Sequence, residues 1–472
     1  MPDLEFLFHP QSIAIVGTPR NTKDMIAGAS FLNALLKFGY KGDIYPVNPK
    51  ARQIHQLEAY PSILSVPQTP DYVISCLSAS LTPQLVKDCA VKGVKAISMY
   101  TAGFSETGQN GEKLQRELSQ LAHETGVRLI GPNCLGIYCP GTKMSFSPYF
   151  SQEVGRVGLL CQSGGHSLEL TIVGGARGIR FSKVISYGNA VDLNEADFLE
   201  YLSQDDETEI IGAYIEGIKD GRRFFKNLAQ AAKKKPVILL KGGRTKAGMK
   251  AACSHTGSLA AGKESWDALC RQAGALQVYN LEEMLELIMA FLHIKPPKGR
   301  RVGIIGGGGG ISVLATDECE SAGLTVPSFS HNLIQKLKKF SFEAGTSVDN
   351  PIDSPKAIVE RSTLFETIQA VAGSGDVDLL LIHVSLASPP WPVESGKNED
   401  QVEAIVEASK SIDIPMALAL RNSDIPAKSA LYLKLHQRCV ETGLAVYPTI
   451  GGAAQAIGTF TKYHDWKEQQ ED

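Results

Sequence analysis

Short apolar, β-branched runs alternate with helical patterns along the 472 residues of the chain. This alternation is typical of parallel strands covered by helices, because such strands are buried on both faces. The first third contains five predicted strands separated by helical segments such as 29–38 and 110–125, and it therefore predicts one doubly wound domain. The five strands are 12–16, 43–47, 72–76, 96–100 and 128–130.

Two further series of the same kind follow. The second has strands at 157–161, 181–186, 210–215 and 237–240 and ends in an acidic helix near 281–293. The third has strands at 302–305, 377–383, 415–420 and 445–447. Residues 138–141 and 295–301 have the composition of linkers. The predicted fold class is therefore α/β, with three doubly wound domains of ordinary size at 1–138, 142–294 and 300–466.

Composition narrows the class of protein. A hydrophobic fraction of 43%, a charged fraction of 21% and a net charge of −3 indicate a globular protein without the basic field that nucleic acids or anionic membranes attract. The chain has no run of eighteen apolar residues and no basic, then apolar, leader at its start. Its nine cysteines include no C-x-x-C pair, so we expect reduced thiols, no metal site and a cytoplasmic location.

The first predicted strand runs through Gly17 and Thr18 towards a helix, which is where a nucleotide-type ligand usually binds. The G-x-G-x-x-G fingerprint of dinucleotide-binding domains is absent at this turn. The second strand ends at Val47 and is followed by Lys50, where a nicotinamide enzyme would carry an acidic residue. A lysine there suits a ligand with an additional phosphate, such as the 3′-phosphate of CoA, and a solvated loop lysine is an equal alternative.

Two further glycine-rich turns each follow the first strand of a domain. One contains Ser163, Gly164 and Gly165, and the other is the run of five glycines at 306–310. Consecutive glycines are costly to order, but they allow the backbone to approach a ligand at a helix N-terminus. Tight packing of strand and helix would explain one such turn, whereas two of them favour phosphate binding.

His255 lies among small residues in the sequence AACSHTGSLAAG, which predicts a slender loop from Gly248 to Gly262. A lone histidine is more often a surface residue than a catalyst, and the nearby glycine turns are what favour catalysis here. Glu216 closes an apolar strand, and taken by itself this is the position of a surface acid at a strand end.

The chain resembles the ADP-forming (NDP-forming) acyl-CoA synthetases, specifically their α subunit, and is more distantly similar to succinyl-CoA synthetases. The resemblance covers essentially the whole sequence. Its motifs are YPVNPK at 45–50, TAGFSE at 101–106, GPNCLG at 131–136, SGG at 163–165, GN at 188–189, YIEG at 214–217, SHTGS at 254–258, the glycines at 306–310 and NPID at 350–353.

This resemblance implies a Rossmann-like CoA-binding domain followed by two flavodoxin-like ligase domains. It also implies the reaction acyl-CoA + ADP + phosphate ⇌ carboxylic acid + CoA + ATP, through an acyl phosphate and a phosphohistidine. His255 would carry the phosphoryl group and Glu216 would hold its imidazole. The implied phosphate-binding residues are Ser163, Gly164, Gly165, Gly308, Gly309 and Gly310, and the implied CoA-binding residues are Gly17, Thr18, Val47, Lys50, Thr101, Asn133 and Cys134.

The sequence contains no recognisable ATP-grasp domain, which such an enzyme needs to bind ADP and magnesium. We therefore expect ATP or ADP and Mg²⁺ to bind a separate ATP-grasp β subunit, and we expect a hetero-oligomer. One alternative is a non-catalytic CoA-binding or regulatory protein of the same fold, although such a protein would not need His255, Glu216 and both glycine turns. An NAD(P)-dependent oxidoreductase is a second alternative, and Lys50 and the missing fingerprint count against it. The acyl group is not indicated by any motif.

Overall fold

A computed structural model describes residues 4–20, 27–256, 262–339, 346–387 and 395–471. The chain divides into two compact units, Met1–Met284 and Leu285–Asp472. In the described segments, the first unit contains two large sheets and a small hairpin, and the second contains one sheet. Each of the three sheets contains a strand that is buried along its whole length, namely 12–16, 157–161 and 302–305. This burial is expected of parallel strands that carry helices on both faces.

The first sheet follows the predicted order of strands and helices. Its parts are β1 (Ser12–Val16), β2 (Asp43–Val47), the hairpin of β3 (Gln53–Ile54) and β4 (Leu57–Glu58), β5 (Tyr72–Ser75), β6 (Ala96–Met99) and β7 (Arg128–Ile130), with helices α1 (Ala27–Phe38), α2 (Thr82–Lys92) and α3 (Gln109–Thr125). The five long strands are parallel in the order β2-β1-β5-β6-β7, which is a doubly wound arrangement. All five predicted strands are confirmed to within one residue.

The second sheet completes the first unit. It contains β8 (Gly136–Tyr138), β9 (Val157–Cys161), β10 (Phe181–Ser186), β11 (Ile210–Ile215), β12 (Val237–Lys241) and β13 (Leu276–Val278), with helices α4 (Gly164–Ala176), α5 (Glu195–Gln204), α6 (Gly221–Lys234), α7 (Lys246–Thr256) and α8 (Lys263–Ala273). Helix α9 (Leu281–His293) follows, and its residues from Leu285 onward belong to the second unit. The strand order is β13-β12-β11-β9-β10-β8, and only β8 among these strands is antiparallel to its neighbour. The sequence analysis assigned 136–138 to the first domain, but the structure pairs these residues with β10 of the second sheet.

The third sheet belongs to the second unit. It contains β14 (Val302–Ile305), β15 (Leu379–Ser385), β16 (Met416–Arg421) and β17 (Ala445–Tyr447), with helices α10 (Gly309–Ser321), α11 (His331–Lys338), α12 (Pro355–Val359), α13 (Arg361–Ala372), α14 (Lys397–Ser409), α15 (Pro426–Glu441) and α16 (Ile450–Glu471). The strands are parallel in chain order. The strand predicted at 377–383 begins two residues later, because the buried Asp378 carboxylate pairs with Arg301 at 2.7 Å just before it.

Several helices have residues at their ends that are favourable for capping. Helices α2, α3 and α8 end before Gly93, Gly126 and Gly274, which all adopt positive φ angles. Glycine is favoured at this position because the left-handed conformation strains other residues. Asp220 is the N-cap of helix α6, and its side chain accepts hydrogen bonds from two backbone amides of the first turn. No helix in the described segments combines the length and apolar character needed to cross a bilayer.

The segment after β10 joins the two sheets of the first unit. The backbone amide of Asn189 donates to the Pro132 carbonyl at 2.9 Å, and the amide of Val191 donates to the Gly131 carbonyl at 2.9 Å. Gly188 permits this close approach, because a Cβ at that position would overlap the Pro132 carbonyl oxygen. The loop after β7 is thereby held against the loop after β10, and the functional cavity lies between them.

Candidate functional site

A cavity of about 350 Å³ is lined by residues that follow β6 and β7 in the first sheet and β9 and β10 in the second. Ligands of doubly wound folds bind at such carboxyl ends of strands. The cavity combines Asn133 and Cys134 of the predicted CoA site with Ser163, Gly164 and Gly165 of the predicted phosphate site. The other lining residues are Tyr100, Ala102, Leu135, Gln162, Leu168, Gly188 and Asn189.

Helix α4 begins at this cavity. Ser163 is its N-cap, and the Ser163 side chain accepts a hydrogen bond from the His166 amide at 3.3 Å. Gly164 and Gly165 are the first two helical residues, and amides in this position have no acceptor within their own helix. The helix dipole adds partial positive charge at the same point. The start of α4 therefore has the properties of an anion-binding site.

Glu216 lies beside the start of α4 and is linked to it by Gln162. Glu216 follows β11 and is 5% exposed. The amides of Glu216 and Gly217 donate to Gln162 Oε1 at 2.7 and 3.0 Å. Tyr214 Oη donates to Glu216 Oε1 at 3.1 Å. Burial and the Glu216 carboxylate raise the pKa of Tyr214, so the hydroxyl remains protonated and continues to donate.

The neighbouring strand β12 fixes Glu216 from its other side. The buried Lys241 donates through Nζ to the Glu216 carbonyl oxygen at 2.7 Å, and the same Nζ lies 5.9 Å from the centre of the Trp266 ring. A Cβ at Gly242 would lie only 2.6 Å from Tyr214 Oη and 3.1 Å from Glu216 Cγ. A glycine is therefore required where β12 passes the glutamate. The strand-end glutamate is a buried, tightly held group rather than a surface acid.

His255 lies in the last turn of α7 (Lys246–Thr256). The prediction of a loop from Gly248 was wrong for this part of the chain. The small residues before His255 are accompanied by Lys246, Met249 and Lys250, and alanine, lysine and methionine are good helix formers. The side chain of His255 and residues 257–261 lie outside the described part of the structure.

The loops predicted to contact the thiol end of CoA are held by their own backbone. The Asn133 amide donates to the Thr101 carbonyl at 2.9 Å, and Asn133 adopts a positive φ of 58°. Cys134 is buried, its Sγ lies 3.5 Å from the Met99 carbonyl oxygen, and burial raises the pKa of its thiol to about 11. At neutral pH, Cys134 is therefore a protonated packing residue rather than a nucleophile. Asn133 lines the cavity, and Thr101 lies behind it.

The remaining predicted CoA residues lie at the carboxyl ends of β1 and β2 and do not line this cavity. The amides of Gly17 and Thr18 both donate to the Val47 carbonyl, at 3.1 and 3.3 Å. Neither amide is therefore available to a phosphate in this conformation. Lys50 is exposed, and its amide donates to Asn48 Oδ1 at 2.8 Å. Lys50 is the member of this group that has a charged side chain to offer a ligand.

In the second unit, the glycine run connects β14 to α10, as predicted. Packing explains part of the run, because a Cβ at Gly306 would lie 3.1 Å from His383 Cβ and a Cβ at Gly307 would lie 2.5 Å from Ile358 Cδ1. The amide of Gly308 donates to Asp353 Oδ1 at 2.8 Å. Of the three predicted phosphate-binding glycines here, Gly308 therefore has its amide already paired. Gly309 and Gly310 begin α10 and have amides suited to an anion.

A second cavity of about 230 Å³ adjoins this turn. Its walls include Ile311, Ile358, Val384 and the imidazole of His383. His383 is 8% exposed, and its Nδ1 has no partner among the described residues. Burial and the charge of Arg421 lower the pKa of His383 to about 4, so the ring is neutral at physiological pH. The lining is therefore mainly apolar, and its polar side chains are the neutral His383, Ser385 and Gln401.

Comparison with known proteins supports the resemblance. Residues 11–140 match a CoA-binding domain, and residues 154–291 match the flavodoxin-like domain of succinyl-CoA ligases. The chain is 32% identical to the α subunit of acetate–CoA ligase (ADP-forming) I from Pyrococcus furiosus, over 99% of both chains. Dinucleotide-forming acetyl-coenzyme A synthetase 1 from Ca. Korarchaeum cryptofilum, in complex with phosphate and ADP, superimposes with a TM-score of 0.84 at 30% identity, covering 99% of this chain and 98% of that one.

The chain belongs to the family of ADP-forming CoA ligases. Its relatives in this family differ in length. Acetate–CoA ligase (ADP-forming) I from Archaeoglobus fulgidus is 38% identical over 80% of this chain, which spans only 54% of that protein. The predicted α/β fold class and the resemblance are confirmed, including the CoA-binding domain. The division into three domains and the roles of individual residues stay predictions.

For an ADP-forming CoA ligase, the sequence analysis missed several residues of the site. Gln162 directly precedes the SGG motif and links it to Glu216, but the sequence analysis assigned it no role. Asn189 was noted only as part of a motif, although it lines the cavity. Lys241 was assigned to a loop after the strand, although it is buried at the end of β12. For Gln162 and Lys241, the available signal was a polar residue at the end of an apolar strand, next to glycines, whereas Asn189 lies beyond the end of β10 and had only its neighbour Gly188 as a signal.

Proposed function

We propose that this chain is the α subunit of an ADP-forming acyl-CoA synthetase that catalyses acyl-CoA + ADP + phosphate ⇌ carboxylic acid + CoA + ATP. The observation that carries the proposal is the shared cavity, in which the Asn133 loop of the CoA-binding domain meets the N-terminus of α4. A thioester and a phosphate bound there would be in contact with each other. The buried Glu216 lies next to this point through Gln162.

In the first step, a phosphate oxygen attacks the thioester carbonyl carbon and the C–S bond breaks. The products are an acyl phosphate and CoA, and the proton released by phosphate goes to the CoA sulfur. The start of α4, with Gly164 and Gly165, would stabilise the phosphate charge without a protein cation. Asn133 would lie near the thiol end, and Lys50 would pair with a phosphate at the other end of CoA.

In the second step, a ring nitrogen of His255 attacks the phosphorus, and the carboxylic acid leaves as its carboxylate. Glu216 would hold the N–H of the other ring nitrogen, which fixes the tautomer and stabilises the positive charge of the reacting ring. Gly309 and Gly310, at the start of α10 in the second unit, would bind a phosphate at a helix N-terminus of their own. An oxygen of the ADP β-phosphate then attacks the phosphorus, the P–N bond breaks, and ATP forms.

We assign ADP, ATP and Mg²⁺ to an ATP-grasp β subunit, so the active enzyme would be a hetero-oligomer. Two observations support this assignment. The Pyrococcus furiosus relative is named an α subunit, and this chain matches it from end to end. We also propose that the protein is cytoplasmic, since eight cysteines in the described segments form no disulfide.

The deciding experiment incubates the chain with labelled phosphate and a panel of acyl-CoAs, and then maps the labelled residue. We expect an acid-labile, alkali-stable label on His255 that is absent from His255→Ala. The chain alone should make no ATP from acyl-CoA, ADP and phosphate, and an ATP-grasp partner should restore ATP synthesis. A label on serine, or one that persists in His255→Ala, would contradict the mechanism. CoA binding without any label would favour the non-catalytic alternative.

A further inference from the structure

Two residues that line the cavity have side-chain amides with one polar atom hydrogen-bonded within the protein and the other without a partner among the described residues. Gln162 is 2% exposed and Asn189 is 1% exposed. Gln162 Oε1 accepts hydrogen bonds from the amides of Glu216 and Gly217, whereas its Nε2 has no partner among the described residues. Asn189 Nδ2 donates to Glu106 Oε2 at 2.8 Å, whereas its Oδ1 has no partner there. Buried amide atoms in this condition usually pair with a ligand or a water.

The surroundings fix which atom of each amide is paired within the protein and which is left without a partner. Backbone N–H groups can only donate, so the Gln162 atom that meets them must be the carbonyl oxygen. Burial alone would raise the pKa of Glu106, but hydrogen bonds from Phe104, Gly103 and Asn189 lower it. Glu106 is therefore an ionised acceptor, and the Asn189 atom that meets it must be the nitrogen. Gln162 Nε2 is thus a fixed neutral donor and Asn189 Oδ1 a fixed neutral acceptor, and neither has a partner among the described residues.

Gln162 and Asn189 line the same cavity as the N-terminus of α4. An anion there receives hydrogen bonds from the Gly164 and Gly165 amides and from Gln162 Nε2. The Asn189 carbonyl oxygen cannot donate, so it repels any ligand oxygen that lacks a proton. Near neutral pH, inorganic phosphate retains at least one P–OH group, whereas sulfate retains no proton. A phosphate can therefore satisfy the donor and the acceptor together, and sulfate cannot.

We propose that Gln162 and Asn189 form a phosphate-selecting pair, in which Gln162 Nε2 binds any tetrahedral anion and Asn189 Oδ1 requires that the anion carry a proton. This inference deepens the proposed function and rests on it in one respect, namely that phosphate is the anion bound at α4. It assigns Asn189 a role in excluding sulfate and other unprotonated dianions from the reaction.

The test is competition for labelled phosphate on the full-length chain, by equilibrium dialysis near neutral pH and at constant ionic strength. Arsenate retains a proton and is expected to compete about as well as phosphate. Sulfate and monofluorophosphate are dianions of similar shape without a proton, and each should compete at least about tenfold more weakly. This series uses only the wild-type chain, so it does not depend on any variant folding.

Two variants then assign the selectivity to its atoms. Asn189→Ala should weaken the binding of phosphate and arsenate, because their proton loses its acceptor, and strengthen the binding of sulfate, because the repelling oxygen is gone, so that the discrimination of about tenfold is lost. Gln162→Met should weaken all the anions by a similar factor and preserve their ratio. The matched control is Asn227→Ala, which removes another buried asparagine amide, on α6, that does not line the cavity. The control should change neither affinity nor ratio.

The outcomes separate this inference from the function on which it rests. Failure of the wild-type chain to bind phosphate would remove the anion site, and with it both proposals. Phosphate binding with sulfate or monofluorophosphate as equal competitors would overturn only the selectivity. Discrimination that survives intact in a folded Asn189→Ala chain would show that Asn189 is not its source.

Discussion

Replacing Glu216 with glutamine removes one negative charge from a side chain that is only 5% exposed. The change is nearly isosteric, and three contacts of the residue do not depend on the charge. The backbone amide of Glu216 donates a hydrogen bond to Gln162 Oε1, and its backbone carbonyl oxygen accepts one from Lys241 Nζ. The third is the hydrogen bond from Tyr214 Oη to the side chain, which a glutamine carbonyl oxygen can still accept. The substitution therefore tests the charge of the carboxylate rather than the fold around it.

The expected magnitude follows from the kind of hydrogen bond that is lost. A bond from the imidazole N–H to a carboxylate is charge-assisted and contributes about 1.5–3 kcal/mol, whereas a neutral amide acceptor contributes about 0.5–1.5 kcal/mol. The difference of about 1–2 kcal/mol corresponds to a decrease of roughly 5- to 30-fold in the equilibrium ratio of phosphorylated to unphosphorylated His255. CoA affinity should be nearly unchanged, since Glu216 does not belong to the proposed CoA site.

The assay measures alkali-stable, acid-labile phosphate on the chain at equilibrium with acyl-CoA and phosphate, and CoA affinity is measured by calorimetry on the same preparations. Glu195→Gln is the matched control, because Glu195 is also a buried glutamate of the first unit whose Oε1 accepts a backbone N–H, that of Lys219 at 2.7 Å. The control should retain the wild-type phosphohistidine yield. A parallel loss of phosphoenzyme and CoA affinity in Glu216→Gln would show that the residue is structural, and an unchanged yield would refute its role at the imidazole.

Three further predictions concern other parts of the chain. Lys50→Ala should weaken CoA binding, measured by calorimetry, by about 1–2 kcal/mol, and it should weaken the binding of dephospho-CoA less. Unaltered affinity for both CoA and dephospho-CoA would show that Lys50 is a solvated loop residue. Gly188→Ala should lower the free energy of unfolding of the first unit by roughly 2–4 kcal/mol, because the φ of Gly188 is 55° and a Cβ there would overlap the Pro132 carbonyl oxygen. Urea unfolding measures this change, and a urea midpoint equal to that of the wild type would contradict the prediction. His383 has its pKa lowered to about 4 by burial and by Arg421, so the unfolded chain binds more protons between about pH 6.5 and 4. The stability of the second unit should therefore fall by up to about 3 kcal/mol as the pH falls through that window, and His383→Gln should flatten the profile; equal slopes would contradict this.

Residues of the candidate site could be predicted where the residue type and its position relative to a strand both indicate the same role. Glu216 at the end of an apolar strand and the glycines after the first strand of a domain were identified in this way. Gln162 was not identified, because its importance comes from hydrogen bonds that its side chain accepts from the backbone amides of Glu216 and Gly217, just after β11. The environment of His255 was predicted as a loop, because small residues were weighed above the helix propensity of alanine and lysine.

The sequence by itself determined the α/β class, the five strands of the first sheet and the family, because apolar periodicity and glycine motifs are local properties of the chain. Only the tertiary structure decided that residues 136–138 complete the second sheet and that the Asn133 loop and the start of α4 share one cavity. It also decided that the amides of Gly17, Thr18 and Gly308 are already paired. The physical reason is that hydrogen-bond partners of turns and strand ends lie tens of residues away in the chain, so no local pattern records which donors remain available to a ligand.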